Sequence, residues 1–385
     1  MSTPKRFPVK KGQILFSAGQ AAYEFVMTLE GSNHGETVLL ARKRTVEGPG
    51  ADVILKCVGL PDRPALDAEK TRTRLEEEVR LATYLRHPGI ARVHGIKRME
   101  GALYLIAECV DGNSLNTLSN VVPEHITKFS DAFVLYLGAE VAGALLYAHT
   151  RTDEHGKPLG IVHRAVDLER IWVTWEGQVK LTDFGLALSK LPGRIASTVQ
   201  RPHGNAYYSS PEALLGKPVD ARSDLFQLGL ALYEVATGSH PLDPPEGLPE
   251  ETEEMLSATE RARVEQAILD AKETGLDDAA VEDLIVRAAT YTPKDLERLV
   301  AKLSEPLRAP LRKLLQRNPT ERYQTAEELE ADLRAHLDRL GSYGAKEAAA
   351  EIGKVLTEVG EQLVGLEGCA SPPRRQRSQD DITTG

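Results

Sequence analysis

Lys56 ends the apolar run Val53-Ile-Leu-Lys56. An ammonium at the end of a buried strand is costly unless a carboxylate meets it. The candidate partner lies in Arg72-Thr-Arg-Leu-Glu-Glu-Glu-Val-Arg-Leu-Ala-Thr-Tyr-Leu85. There Leu75, Val79, Ala82 and Leu85 repeat at helical spacing, and Glu78 stands beside that stripe. Upstream, Tyr23-Glu-Phe-Val-Met-Thr-Leu29 and Glu36-Thr-Val-Leu-Leu-Ala-Arg42 read as two strands joined by Glu30-Gly-Ser-Asn-His-Gly35. Small residues in such a turn, here Gly31 and Gly35, let backbone N–H groups approach an anion closely. One reading is a Lys56–Glu78 ion pair beside a turn that could admit an anion. The plainer readings are a solvated charged helix and a hairpin turn that needs no ligand.

The stretch Gly160-Ile-Val-His-Arg-Ala-Val-Asp-Leu-Glu-Arg-Ile-Trp-Val173, followed by Val179-Lys-Leu-Thr-Asp-Phe-Gly185, resembles the catalytic and metal-binding loops of bacterial eukaryotic-like (Hanks-type) serine/threonine protein kinases. His-Pro-Gly-Ile90 resembles the family's His-Pro-Asn-Ile, and Gly204-Asn-Ala-Tyr-Tyr-Ser-Ser-Pro-Glu212 resembles the end of its activation segment. Asp220-Ala-Arg-Ser-Asp-Leu-Phe-Gln-Leu-Gly229 and Asn318-Pro-Thr-Glu-Arg-Tyr323 complete the set, with Arg322 matched to Glu212. The resemblance covers residues 23–340, and the order and spacing of the motifs carry it. It implies an α+β, two-lobed protein-kinase fold with a small β-rich N-lobe and a larger helical C-lobe.

It also implies roles. Lys56 and Glu78 are the ion pair of the small lobe. Gly31, Gly35, Lys56 and the backbone around Glu108 and Val110 are the nucleotide contacts. Asp183 is the ligand of one Mg²⁺, and ATP is the expected nucleotide. Within the preserved frame the reacting groups are changed. Ala165 stands where the family has its catalytic aspartate, and has no atom to accept a hydroxyl proton. Asp167 stands where the family has a phosphate-facing lysine. Arg170 replaces the asparagine that holds the second metal ion, and a fixed cation there repels that second ion. Asp167 is a weak substitute base, since alternate residues of an extended loop point apart. In the glycine-rich turn, Glu30 and Ser32 occupy two glycine positions.

Two function classes follow. One is a catalytically impaired pseudokinase acting in signalling as a regulator or scaffold, with ATP binding retained. The other is an active or weakly active serine/threonine kinase that transfers the ATP γ-phosphate to protein hydroxyls. Arg164 carries a further expectation: it pairs with phosphorylated Ser197 or Thr198, placed there by a separate kinase, or it hydrogen-bonds loop carbonyls.

The elements that must position these residues divide the chain into segments. Residues 1–22 are a lead whose 12–19 stretch suits one added strand. Residues 23–110 are the N-lobe, with Ala107 at the gatekeeper position and Cys109 a packing residue. Residues 111–342 are the C-lobe, with a helical insertion at about 243–303. Within the lobe, Phe133, Leu137, Val141 and Leu145 mark a core helix. Inside the insertion a helix over 253–273 is expected, and Thr292-Pro-Lys-Asp295 reads as a helix start. Thr325-Ala-Glu-Glu328 reads as a capping box. Residues 343–368 form an amphipathic helix with Ile352, Leu356, Val359, Leu363 and Leu366 on one face. That face suits packing on its own domain, or a partner or second copy through residues 345–366. Residues 369–385 have the composition of a disordered tail.

The 385 residues carry 47 Lys and Arg against 57 Asp and Glu, a net charge of -10, which argues against nucleic acid as a partner. Protein partners, another kinase or a signalling protein, are the expectation. Cys57, Cys109 and Cys369 are widely spaced, which suits a reducing, cytoplasmic setting and no metal-ligand cluster. No run reaches the roughly 18 apolar residues of a membrane span by this reading.

Overall fold

Alternating burial builds the N-terminal sheet. The computed structural model describes residues 10–29, 35–59, 65–99, 101–121, 129–191, 204–242, 256–273 and 279–359. Six antiparallel strands, β1 (Ile14–Ala18), β2 (Ala21–Leu29), β3 (Thr37–Thr45), β4 (Gly48–Val58), β5 (Val93–Met99) and β6 (Ala102–Glu108), lie in the order β1-β2-β3-β4-β6-β5. Leu55 and Cys57 of β4 join Phe16, Tyr23, Phe25, Leu39 and Tyr104 in a core on one face. Lys56, between them, points to the other face by the two-residue period of a strand. That face is covered by α1 (Ala65–Ala82), whose Leu75 packs with Val58, Leu103 and Leu105. β4 and α1 therefore bring Lys56 and Glu78 to the same layer. Gly31 lies outside the described residues.

The larger lobe is organised on α3 (Asp131–His149), where Phe133, Leu137, Val141 and Leu145 are fully buried. At 19 residues α3 is long and apolar enough to cross a membrane by length and composition. That corrects the expectation that no run reaches this length. Its apolar character serves the core instead, with α5 (Ala221–Thr237) and α10 (Ala326–Leu340) packed on it. Gly138 permits the approach, because a Cβ there would meet Leu232 Cδ1 at 2.8 Å and Leu333 Cδ1 at 2.9 Å. The short α2 (Leu115–Val121) follows β7 (Gly112–Ser114), which pairs with β8 (Ile171–Thr174), and β8 with β9 (Val179–Leu181). The result is a two-lobed α+β kinase fold, with a sheet-based N-lobe and a helical C-lobe.

The C-terminal half adds α4 (Pro211–Leu214), α6 (Ala258–Glu273), α7 (Ala279–Thr290), α8 (Pro293–Val300) and α9 (Glu305–Leu314). Ser257 accepts the Glu260 N–H and gives its own N–H to the Glu260 carboxylate at 3.1 Å, which starts α6 at Ala258. α8 opens on a full capping box between Thr292 and Asp295. At α10 the Thr325 hydroxyl takes the Glu328 N–H at 3.1 Å, while the Glu328 carboxylate takes the Gln324 N–H at 3.0 Å, one residue beyond the box read from sequence. Val264, Ala267, Val281, Leu284 and Ile285 of α6 and α7 form a second core with Leu214 and Leu215 around α4.

The last described helix, α11 (Ala345–Val359), buries Ala348, Ile352 and Val355 in the main C-lobe core. Its Glu351 accepts the Ser130 N–H at 2.6 Å and hydroxyl at 2.8 Å, at the residue that caps α3. The described part of the face that suited self-association is thus occupied by the chain's own C-lobe. Residues 360–385 lie outside the described residues.

Candidate functional site

A buried ion cluster joins the two lobes. Lys56 Nζ donates to Glu78 Oε1 at 2.8 Å, to Oε2 at 3.1 Å, and to Asp183 Oδ1 at 2.6 Å. The other Asp183 oxygen, Oδ2, lies 3.4 Å from Arg170 Nε. Burial alone pushes the Asp183 carboxyl up, but Lys56 and Arg170 outweigh it and hold the group well below the usual carboxylate range. Burial likewise works against the charge on Lys56, and Asp183 and Glu78 overcome it, so the ammonium stays protonated. A second pair sits alongside: Arg74 Nη2 donates to the Glu36 carboxylate, which follows Gly35 in sequence. This pair was not read from the sequence. The usable signal was position, since Arg74 precedes Glu78 by four residues and shares its helix face.

The loop between α3 and β8 is fixed from below by Asp224 of α5. Its carboxylate accepts the His163 N–H and the Arg164 N–H, both at 2.8 Å, and meets His149 Nε2 at 2.8 Å. Gln227 adds Oε1 to the Val166 N–H and its amide N–H to the Arg164 carbonyl, both at 3.1 Å. His163 Nε2 contacts the Thr182 carbonyl at 3.0 Å and Nδ1 accepts the Ala165 N–H at 3.2 Å, which defines a neutral ring protonated on Nε2. The ring meets Phe184 edge-on, with centroids 4.5 Å apart. Arg164 and Asp183, at φ 66° and 61°, are the non-glycine residues in the left-handed region among the described residues. Such backbone strain concentrates at functional sites.

Inside this frame, Ala165 is 1% exposed. Gly204, at φ 76°, closes over it: a Cβ on Gly204 would stand 2.8 Å from the Ala165 Cβ. Asp167 is also 1% exposed. Its Oδ1 accepts the N–H groups of Glu169 at 3.1 Å and Arg170 at 3.0 Å, and its Oδ2 takes Arg170 Nη1. Burial pushes its pKa up to about 6, with Arg170 pulling the other way. Both Asp167 oxygens thus bond within the loop itself.

Arg164 gives its Nε–H to the Leu186 carbonyl at 2.8 Å and an Nη2 N–H to the same oxygen. Ser197 and Thr198 lie outside the described residues. In the hinge, the Glu108 N–H is bonded to the Arg92 carbonyl at 2.7 Å and the Val110 carbonyl accepts the Gly112 N–H at 3.0 Å. The Glu108 carboxylate pairs with Lys180 Nζ at 2.7 Å.

These residues do not fit a divalent metal ion. Asp183 would be its ligand, and both Asp183 oxygens face cations. Two unit positive charges 4 Å apart repel by about 4 kcal/mol at an effective dielectric of 20, and a divalent ion doubles that. Among the described residues no three His, Cys, Asp or Glu side chains converge to hold a metal.

Away from the reacting positions, Arg322 forms a bidentate pair with Glu212, both contacts at 2.8 Å and both side chains buried. This pair anchors α4, the helix that follows the segment over Ala165.

The family model described as protein kinase domain matches residues 47–333. The tyrosine-protein kinase MasK of Myxococcus xanthus is 30% identical over 271 residues, covering 69% of this chain and 36% of that protein. A probable serine/threonine-protein kinase of Clostridium perfringens is 28% identical over 265 residues, 69% of this chain and 32% of that one. The serine/threonine-protein kinase PknA of Mycobacterium tuberculosis is 35% identical over 173 residues, 44% of this chain and 37% of its own. The matched stretch spans about a third of the length of these relatives.

Proposed function

We propose, from the premise that this chain belongs to the protein kinase family, that it acts as a catalytically impaired kinase-fold regulator or scaffold in signalling rather than as an efficient phosphotransferase. Protein kinase domains use ATP and Mg²⁺ and need a positioned group to receive the hydroxyl proton. The observation that carries the reading is Ala165, a methyl group beneath Gly204 at the position of that group. Asp167 does not replace it. A pKa of about 6 suits a base, but both its oxygens are committed within the loop and its side chain is buried. Losing a base costs roughly 10²–10⁴ in rate.

ATP binding is retained in this reading, through Lys56 and the hinge around Glu108 and Val110. Partners are other signalling proteins, another kinase among them, and they contact the kinase surfaces. The second reading, a weakly active kinase, is favoured by the ordered Lys56–Glu78–Asp183 cluster and by the relatives, which are named as kinases. An autophosphorylation and peptide-phosphorylation assay separates the two. Turnover in the ordinary kinase range of about 1–100 s⁻¹ would reject the impaired reading.

A further inference from the structure

We infer that Arg170 is a built-in replacement for the divalent cation, so that the cleft binds a nucleoside polyphosphate without metal. The inference rests on the reading that the cleft takes nucleotide, and deepens it by naming the ligand as the metal-free form. Its ground is the misfit between Asp183 and a metal. Asp183 Oδ1 receives Lys56 Nζ at 2.6 Å and Oδ2 faces Arg170 Nε at 3.4 Å. The arginine is itself held in place, by Asp167 on Nη1 and by the Thr182 N–H on its own carbonyl at 2.9 Å. It is a fixed cation at the metal ligand, not a side chain passing by.

Two buried donors of the cluster have no hydrogen-bond partner among the described residues: Arg170 Nε and Arg74 Nη1. The contact from Arg170 Nε to Asp183 is an ion pair at 3.4 Å rather than a formed hydrogen bond. Unsatisfied buried donors are expensive, and a guanidinium engages phosphate oxygens readily. Arg74 reaches this cluster from α1 and acts on Asp183 together with Lys56 and Arg170. Its partner Glu36 adjoins Gly35, in the turn expected to lie over phosphates. Lys56, Arg74 and Arg170 are each paired with a carboxylate, so what they offer a polyphosphate at the metal ligand is guanidinium and ammonium N–H donors rather than surplus positive charge.

The test is calorimetric titration of the full chain with ATP, once in EDTA and once in excess Mg²⁺. Dissociation constants within about threefold of each other are expected. For Arg170→Asn, ATP binding in EDTA should weaken by about tenfold or more and be restored at least in part by Mg²⁺. Arg170→Lys should remain insensitive to EDTA. Native binding about tenfold tighter with Mg²⁺ than with EDTA would overturn the inference and leave the nucleotide reading standing. Absence of binding in both buffers would overturn both. An Arg170→Asn chain that binds as the native protein does in EDTA would also overturn the role of Arg170. If that variant does not fold, the native comparison and Arg170→Lys decide. Ordinary kinase turnover in the separate phosphorylation assay would reject the impaired-kinase reading without bearing on metal dependence.

Discussion

Gly204 lies against the methyl group of Ala165, so close that a Cβ on the glycine would stand 2.8 Å from the Ala165 Cβ. A carboxylate restored at position 165 has to make room beneath this backbone. It also arrives in a loop where Arg170 is committed to Asp167 and faces Asp183. Ala165→Asp alone is therefore expected to recover less than about tenfold in peptide phosphorylation, against the roughly 10²–10⁴ that a base supplies. The triple change Ala165→Asp, Asp167→Lys, Arg170→Asn should recover more. Radiolabelled phosphate transfer measures both, and strong activity from the single change would show that the other two positions matter little.

Lys56 pairs with two carboxylates at once, the buried Glu78 and the partly exposed Asp183. Lys56→Met leaves Glu78, with its side chain 2% exposed, without its ammonium. Removing one member of such a buried pair costs about 3–5 kcal/mol. The lower end is expected because Glu78, already pushed up by burial, can take a proton. Lys56→Met/Glu78→Leu should regain part of the loss. Urea denaturation is the measurement, and a loss under about 1 kcal/mol for Lys56→Met would mean the pair does not brace the lobes.

Stability should fall on mild acidification through His163. Burial lowers its pKa from the ordinary 6.5, with Asp224 pulling upward. The folded pKa lies below the unfolded one, so the unfolded chain binds the proton first. The contribution is complete above about pH 6.5 and is lost as pH falls from there through the folded pKa, with a slope of at most about 1.4 kcal/mol per pH unit. His87 and His94 are lowered too, so the informative quantity is the difference between native protein and His163→Gln. Equal slopes in denaturation series from pH 7 to 5 would remove His163 from the account.

Ile352 of α11 is 3% exposed in the C-lobe core. Ile352→Ala should cost about 2–5 kcal/mol of stability and leave the oligomeric state unchanged. Denaturation and size-exclusion chromatography together test this. A change of oligomeric state with unaltered stability would instead make residues 345–366 an association seam.

Local pattern was enough to set out the architecture. The apolar run before Lys56, the helical stripe beside Glu78 and the order of His163, Asp183, Glu212, Asp224 and Arg322 are all properties of short segments and their spacing. Such periodicity decides which face of a strand or helix is buried, and motif order constrains how the elements connect. Those same segments name the substitutions at Ala165, Asp167 and Arg170. Their consequences depend on side-chain direction and on contacts across many residues, which sequence spacing does not encode. Arg170, just before β8, meets Asp183, just after β9, because those two strands pair antiparallel with Ile171 opposite Leu181. Asp167 turns into the loop because two N–H groups there need an acceptor. The pairing of Arg74 with Glu36 joins a helix to the residue just before β3, 38 residues away. The packing of Gly204 over Ala165 joins the loop to the far end of a segment that the Glu212–Arg322 pair anchors from below. The sequence thus determined which groups are available; the tertiary structure decided which of them face each other, because only close approach in a buried setting turns charge and shape into interaction energy.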